Sequence, residues 1–137
     1  MREEGPARVL LGTYGSASSV IESPSPINYL AVRLKAGERW RYMPPASHTV
    51  LWVAIAAGVL SAPEELRHGE LAAFAPSSQS VEFEALADTE FVLGSAAPHE
   101  HDLVAGYYSV HTSPEALRDG ERHISLVRQR LVQAGRP

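Results

Sequence analysis

Between Ala7 and Leu93 the chain is a succession of short apolar or alternating stretches, each stopped within a few residues by glycine, proline or a polar turn. This punctuation constrains the fold more than any other feature. The stretches are of strand length, and several alternate with the period of two of a sheet buried on one side. Ala7 to Gly12 is an apolar run ended by glycine. Ile27 to Leu34 sets Leu30, Val32 and Leu34 on one face, with Tyr29, Ala31 and Arg33 on the other. After the Lys35-Ala36-Gly37 turn, Glu38 to Met43 sets Trp40 and Tyr42 against Arg39 and Arg41. Pro44-Pro45 stops that stretch, because proline cannot donate to a sheet ladder. Thr49 to Ala57 carries β-branched and aromatic residues on both parities and predicts a central strand covered on both faces. Leu71 to Ala75, Val81 to Ala85 and Glu90 to Leu93 follow, with Glu82 and Glu84 opposite Val81, Phe83 and Ala85.

The flanking segments read differently. Residues 1–6 form a disordered lead-in, and Gly12 to Pro26, rich in Gly, Ser and Pro, reads as one long loop. Thr112-Ser113-Pro114-Glu115 is a helix start, with a capping hydroxyl and an early proline. Leu117, Ile124 and Leu131 recur at heptad spacing with Val127 between them, an apolar stripe on a terminal helix over 112–135. Gly120 is expected to break this helix into two pieces. The pattern therefore predicts an all-β barrel followed by a C-terminal α-helix, and the length of 137 residues fits a single domain spanning 1–137.

Composition narrows the function classes. A net charge of −4 with only 12 lysines and arginines lacks the basic patch that nucleic-acid binding needs. The absence of cysteine excludes disulfides and thiolate metal sites. The acidic, polar start is unlike a signal peptide, and the apolar run Val50 to Leu60 is too short to span a bilayer. A cytoplasmic protein without membrane or direct nucleic-acid partners is expected.

Several pieces, in order, resemble a known family. They are Ile27-Asn28-Tyr29-Leu30 leading into Lys35-Ala36-Gly37, the strand ending at Ala57-Gly58, Leu93-Gly94 with Pro98 and Glu100 after it, and Gly106-Tyr107-Tyr108-Ser109-Val110-His111-Thr112 followed by Ser113-Pro114-Glu115-Ala116-Leu117. Together they resemble the C-terminal cupin domain of the pirin family. The resemblance implies a cupin-type double-stranded β-helix, or jelly roll. Pirins are usually two-cupin proteins whose metal, generally iron, sits in the N-terminal cupin; this chain resembles the metal-free half.

The resemblance also allows the usual cupin metal motif to be checked. That motif needs His-x-His, a nearby Glu and a later His. The matching positions here hold residues such as Pro44, Ala46 and Leu51, and Val81 stands where the later histidine belongs. His48 is alone. No metal is therefore expected in the barrel. A different site remains open at His99, His101 and His111, since two histidines two residues apart on a strand would share a face. The preceding Gly94-Ser95-Ala96-Ala97-Pro98 instead suggests a surface turn. Trp40, Tyr42, His48 and Trp52 are the candidate lining of an apolar ligand pocket, with core packing as the alternative for the aromatics.

Three functions follow from these readings. The first is a non-catalytic, cofactor-free binding or assembly domain, paired as a homodimer or with a second cupin domain or chain. The second is a quercetinase-type dioxygenase or its subunit, using iron or another divalent metal. The third is a small-molecule sensor or transcriptional co-regulator.

Overall fold

The computed structural model describes residues 3–135. Its strands in chain order are β1 (Glu3–Glu4), β2 (Ala7–Leu11), β3 (Thr13–Tyr14), β4 (Ala17–Ser18), β5 (Ile27–Leu34), β6 (Arg39–Tyr42), β7 (Val50–Ala57), β8 (Val59–Ser61), β9 (Glu65–Arg67), β10 (Leu71–Ala73), β11 (Val81–Ala85), β12 (Thr89–Ala96), β13 (Val104–Ala105) and β14 (Val110–His111). One helix, α1 (Pro114–Gln133), follows them. The chain divides into two compact units, one running to Pro98 and one starting at His99.

The first unit is built on two main sheets. A six-stranded sheet has the order β1-β2-β5-β12-β7-β10, and a four-stranded sheet has the order β6-β11-β8-β9. Every pairing within them is antiparallel. Strand β12 is central. It pairs along its whole length with β5, from Thr89↔Leu34 to Ala96↔Ile27, and on its other side with β7. The inward parity of the six-stranded sheet supplies Leu30, Val32, Leu34, Leu51, Val53, Ile55, Phe91 and Leu93; Trp40, Tyr42, Phe83 and Ala85 come from the other sheet. Both inner faces are thus apolar and close on one core.

The outward faces are unlike each other. On the four-stranded sheet Arg39 pairs with Glu84 at 2.9 Å and Arg41 with Glu82 at 2.6 Å, directly across the β6–β11 ladder. On the six-stranded sheet the outward parity of β7 is Val50, Trp52 and Ala54, and its inward parity alone is fully buried. The expectation that β7 is covered on both faces therefore fails within this unit: the strand is central by hydrogen bonding, not by double burial.

Other expectations need correction. Glu3 and Glu4 are no disordered lead-in but an edge strand against Arg8 and Ala7; residues 1 and 2 lie outside the described residues. The loop expected over Gly12 to Pro26 contains the β3–β4 hairpin, which buries Ala17 and sends Tyr14 against the core. Glycines at positive φ, Gly12 and Gly15, let the chain turn so tightly. Strand β10 stops at Ala73, short of Ala75, and β12 runs three residues past Leu93. That extension matters most, because it carries Ser95 into the interior.

The second unit holds the β13–β14 hairpin and α1. Ser113 caps α1: its hydroxyl accepts from the Ala116 amide at 3.1 Å, and Pro114 begins the helix. Glu115 lies in the first turn and Arg130 in the last, both favourable to the helix dipole. The helix is continuous through Gly120, against the expected break. A side chain at Gly120 would run into the His111 imidazole, so glycine serves a close approach there rather than a kink. The ordered helix is shorter at both ends than the expected 112–135.

Phe83 is fully buried and lies among Trp40, Phe74 and Phe91 with ring centroids 5.5 to 6.3 Å apart. Phe83→Ala removes the ring that bridges the two sheets. It should lower unfolding stability by about 3–5 kcal/mol in urea titrations.

Candidate functional site

Among its described residues the first unit holds four buried polar or charged ones: Asn28, His48, Thr89 and Ser95. Three of them meet at one place. Asn28 and Ser95 face each other across the β5–β12 ladder, on the inward parity. Tyr42 reaches them from the four-stranded sheet, and His48 comes from the segment before β7. Tyr42 Oη lies 2.7 Å from Ser95 Oγ, and Ser95 Oγ lies 2.8 Å from His48 Nδ1. The Asn28 amide nitrogen donates to Tyr42 Oη at 3.3 Å, while its carbonyl oxygen accepts from the Thr13 backbone at 2.9 Å.

These contacts assign a direction to the protons. Because Asn28 Oδ1 accepts from Thr13, its NH₂ faces Tyr42. Tyr42 then accepts from Asn28 and donates to Ser95, and Ser95 donates to His48 Nδ1. The reverse direction would leave the Tyr42 hydroxyl proton without an acceptor among these groups. The assigned order makes His48 neutral, with its proton on Nε2. Burial also pushes the His48 pKa down from its ordinary 6.5, because a desolvated imidazolium is costly. Hydrogen bonding and desolvation thus favour the same protonation state.

The adjoining interior is filled by rings. Tyr14 stacks on Tyr42 with centroids 6.0 Å apart, and Trp40 Nε1 donates to Tyr14 Oη at 2.9 Å. Trp40 also lies at 5.7 Å from both Tyr42 and Phe83. Among the expected pocket residues, Trp40, Tyr42 and His48 therefore belong to one region of the interior. Trp52 does not. It projects from the outward face of β7, tilted against Tyr29 at 5.7 Å and lying over Gly94, where a side chain would meet its ring. A surface cleft of about 600 Å³ lies elsewhere, along the β1–β2 edge by Arg8, Leu10, Val20 and Ile21.

The three histidines of the alternative metal site lie in the second unit. His99 and His101 are in an irregular segment rather than on a strand, with rings 5.6 Å apart. His99 Nδ1 lies 2.8 Å from the His101 carbonyl oxygen, its natural acceptor. His111 Nε2 is bonded to Ser109 Oγ at 2.8 Å, and its ring lies over Gly120. Among the described residues no three His, Asp or Glu side chains are grouped to hold a metal ion.

A quercetin 2,3-dioxygenase from Acinetobacter baumannii superposes with a TM-score of 0.75 at 21% identity, covering 89% of this chain and 43% of its own. The cupin_2 domain of an XRE family transcriptional regulator from Enterobacter cloacae gives 0.51 at 13% identity, covering 68% of this chain and 96% of its own. The pirin YhhW of Escherichia coli, in complex with nickel(II), gives 0.52 at 14% identity, covering 58% and 34%. The chain has the cupin fold. It spans less than half the length of the dioxygenase and of the pirin it matches. No family model and no curated protein matches its sequence. No helix among the described residues is long and apolar enough to cross a membrane.

Cupin-fold proteins of the quercetinase and pirin type imply a divalent metal, which the interior residues would have to hold. The buried cluster offers one imidazole, two neutral hydroxyls and one amide. The imidazole's Nδ1 and both hydroxyls are already engaged with one another. Iron or nickel needs several imidazole or carboxylate donors around one point. The cluster does not fit such an ion.

Sequence reading missed Asn28, Ser95 and Tyr14. Asn28 shares the parity of Leu30, Val32 and Leu34, which was a usable signal of an inward polar group. Ser95 carried none, since Gly94-Ser95 resembles a turn until β12 is seen to continue through it.

Two outcomes follow. Ser95→Ala removes the link between Tyr42 and His48, and should cost about 1–3 kcal/mol of stability in urea titration. For His48 the folded pKa is depressed, so its contribution is fully present above the unfolded value near 6.5 and is lost as pH falls towards the lowered folded value. Thermal melts should therefore fall as pH drops below about 6.5, and His48→Gln should flatten that step.

Proposed function

We propose that this chain is a metal-free, non-catalytic cupin-fold domain that works by binding or assembly. One observation carries the reading: the closed hydrogen-bond chain Asn28–Tyr42–Ser95–His48 in the barrel interior. A catalytic cupin needs open coordination positions and a space for substrate beside them. Here the corresponding polar groups satisfy one another, and Tyr14, Trp40 and Phe83 fill the adjoining volume. Ser95 and His48 do form a hydroxyl–imidazole pair, but Ser95 is 1% exposed, which withholds it from any substrate. The pirin likeness of the sequence supports the same reading, since it points to the half of those proteins that lacks the metal. The filled interior also weighs against a sensor whose ligand sits behind Trp40 and His48.

The test is elemental analysis of the full chain, produced with iron and nickel supplied, together with an assay for quercetin consumption. Metal well below one ion per chain and no turnover are expected. One tightly held ion per chain, lost in the His48→Ala variant or in the His99→Ala/His101→Ala variant, would overturn the proposal, as would quercetin turnover by the purified protein.

A further inference from the structure

The β3–β4 hairpin lies against the interior but contributes little to it. Each of its strands has two residues, and Ala17 is its one fully buried side chain. Half-buried Tyr14 covers Tyr42 and Trp40, stacking on the first and accepting from the indole N–H of the second at 2.9 Å. The Ser19 amide closes the base of the hairpin on the Gly12 carbonyl at 2.9 Å. Two further bonds tie the hairpin to the barrel. The Thr13 amide donates to Asn28 Oδ1 at 2.9 Å. At the turn the Ser16 amide donates to the Glu4 carboxylate, which sits so close under Gly15 that a side chain there would overlap it. An element with so little buried apolar surface opens at a lower free energy than the sheets beneath it.

We propose that this hairpin is an acid-released strap, which opens while both main sheets stay paired once Glu4 and His48 take up protons. Both ties depend on a protonation state. An ionised Glu4 accepts strongly from the Ser16 amide, and a protonated carboxyl accepts poorly. The Thr13 tie is reached through the buried chain. With a proton on Nδ1, His48 has to donate to Ser95 Oγ. Ser95 then donates to Tyr42, and Tyr42 to Asn28. Asn28 can accept only by turning its carbonyl oxygen to Tyr42. That sets its NH₂ against the Thr13 amide, donor against donor. Protonation at one end of the chain thus breaks the bond at the other.

The surrounding charges leave these two groups in control. Pro44 to Thr49 carries no acidic or basic residue besides His48. Ser95 and Tyr42 are the groups that meet its ring region, and the charged residues of their strands and of β5, Arg39, Arg41, Arg33 and Glu90, form outward ion pairs. Around Glu4, the charged residues of β1 and β2 are Glu3 beside it and Arg8 opposite Glu3, and the only titratable side chain of the hairpin is Tyr14. Hydrogen bonds from Ser16 hold the Glu4 carboxyl below its ordinary 4.5, and burial holds His48 below 6.5. Both folded values are depressed, so both ties are complete above the ordinary values and are lost as pH falls through the folded ones. Acid therefore acts on both ties in the same direction.

Amide hydrogen exchange on the full chain reads the opening. At about pH 7.5 the Thr13 and Ser19 amides should be protected, though less than the amides of β12. Between there and about pH 4 their protection factors should fall at least about tenfold while those of β12 hold. Glu4→Gln keeps the shape and removes the charge; it should lower Ser16 and Ser19 protection about fivefold at neutral pH. Glu4→Gln combined with His48→Gln should abolish the acid step, leaving the strap equally protected at both pH values. Should the double variant fail to fold, Trp40 fluorescence is the second measure. In a Trp52→Phe chain Trp40 is the only tryptophan, and acrylamide should quench it more in acid than at neutral pH with far-ultraviolet circular dichroism unchanged. Thr13 and Ser19 amides that exchange only together with those of β12 at every pH overturn the proposal. So does acid release that persists in the double variant, or Trp40 quenching that stays constant until the barrel itself unfolds.

Discussion

The structure of the first unit depends on the register of β12 between β5 and β7. That strand is paired on both sides over nearly its full length. Its inward residues Phe91, Leu93 and Ser95 supply core and polar cluster, and its outward residues are Glu90, Val92, Gly94 and Ala96. A slip of one residue would exchange the two sets, turning Ser95 to solvent and Val92 to the core. The slip is resisted because it would carry Phe91 and Leu93 out of the interior and turn the Glu90 carboxylate into it. Site and surface are thus two consequences of one ladder.

The interior shows how the buried polar groups of this barrel can be satisfied by one another. Buried donors and acceptors have to be satisfied, by a metal, by water or by one another. Here Asn28, Tyr42, Ser95 and His48 satisfy one another, and no buried side-chain nitrogen or oxygen among the described residues lacks a hydrogen-bond partner. A neutral chain of hydrogen bonds carries no charge to desolvate. It also ties the two sheets together, since Tyr42 and Ser95 come from opposite ones. Tyr42 and His48, two of the candidate pocket residues, take part in this joint.

Much of the fold was legible beforehand, and the failures have physical causes. The alternation at Ile27 to Leu34, Glu38 to Met43 and Val81 to Ala85 reported burial correctly, because a half-buried sheet imposes its period on composition. The β3–β4 hairpin was hidden because its strands are two residues each, too short to show a period. Gly120 misled because propensity speaks only for the helix itself, whereas the His111 ring set the requirement there. Trp52 misled for a related reason: an aromatic in the most apolar strand looks interior from either parity, and only the partners of β7 decide which side faces the core.

The sequence by itself determined the class of fold, most turn positions and the terminal helix, since all of these follow from local period, punctuation and residue identity. The tertiary structure alone decided that Asn28, Tyr42, Ser95 and His48 meet, and that Trp52 turns outward beside Tyr29. Those facts depend on which strands become neighbours and in what register. Pairing over such distances along the chain is chosen by the collective burial of both sheets, and no local stretch of residues encodes it.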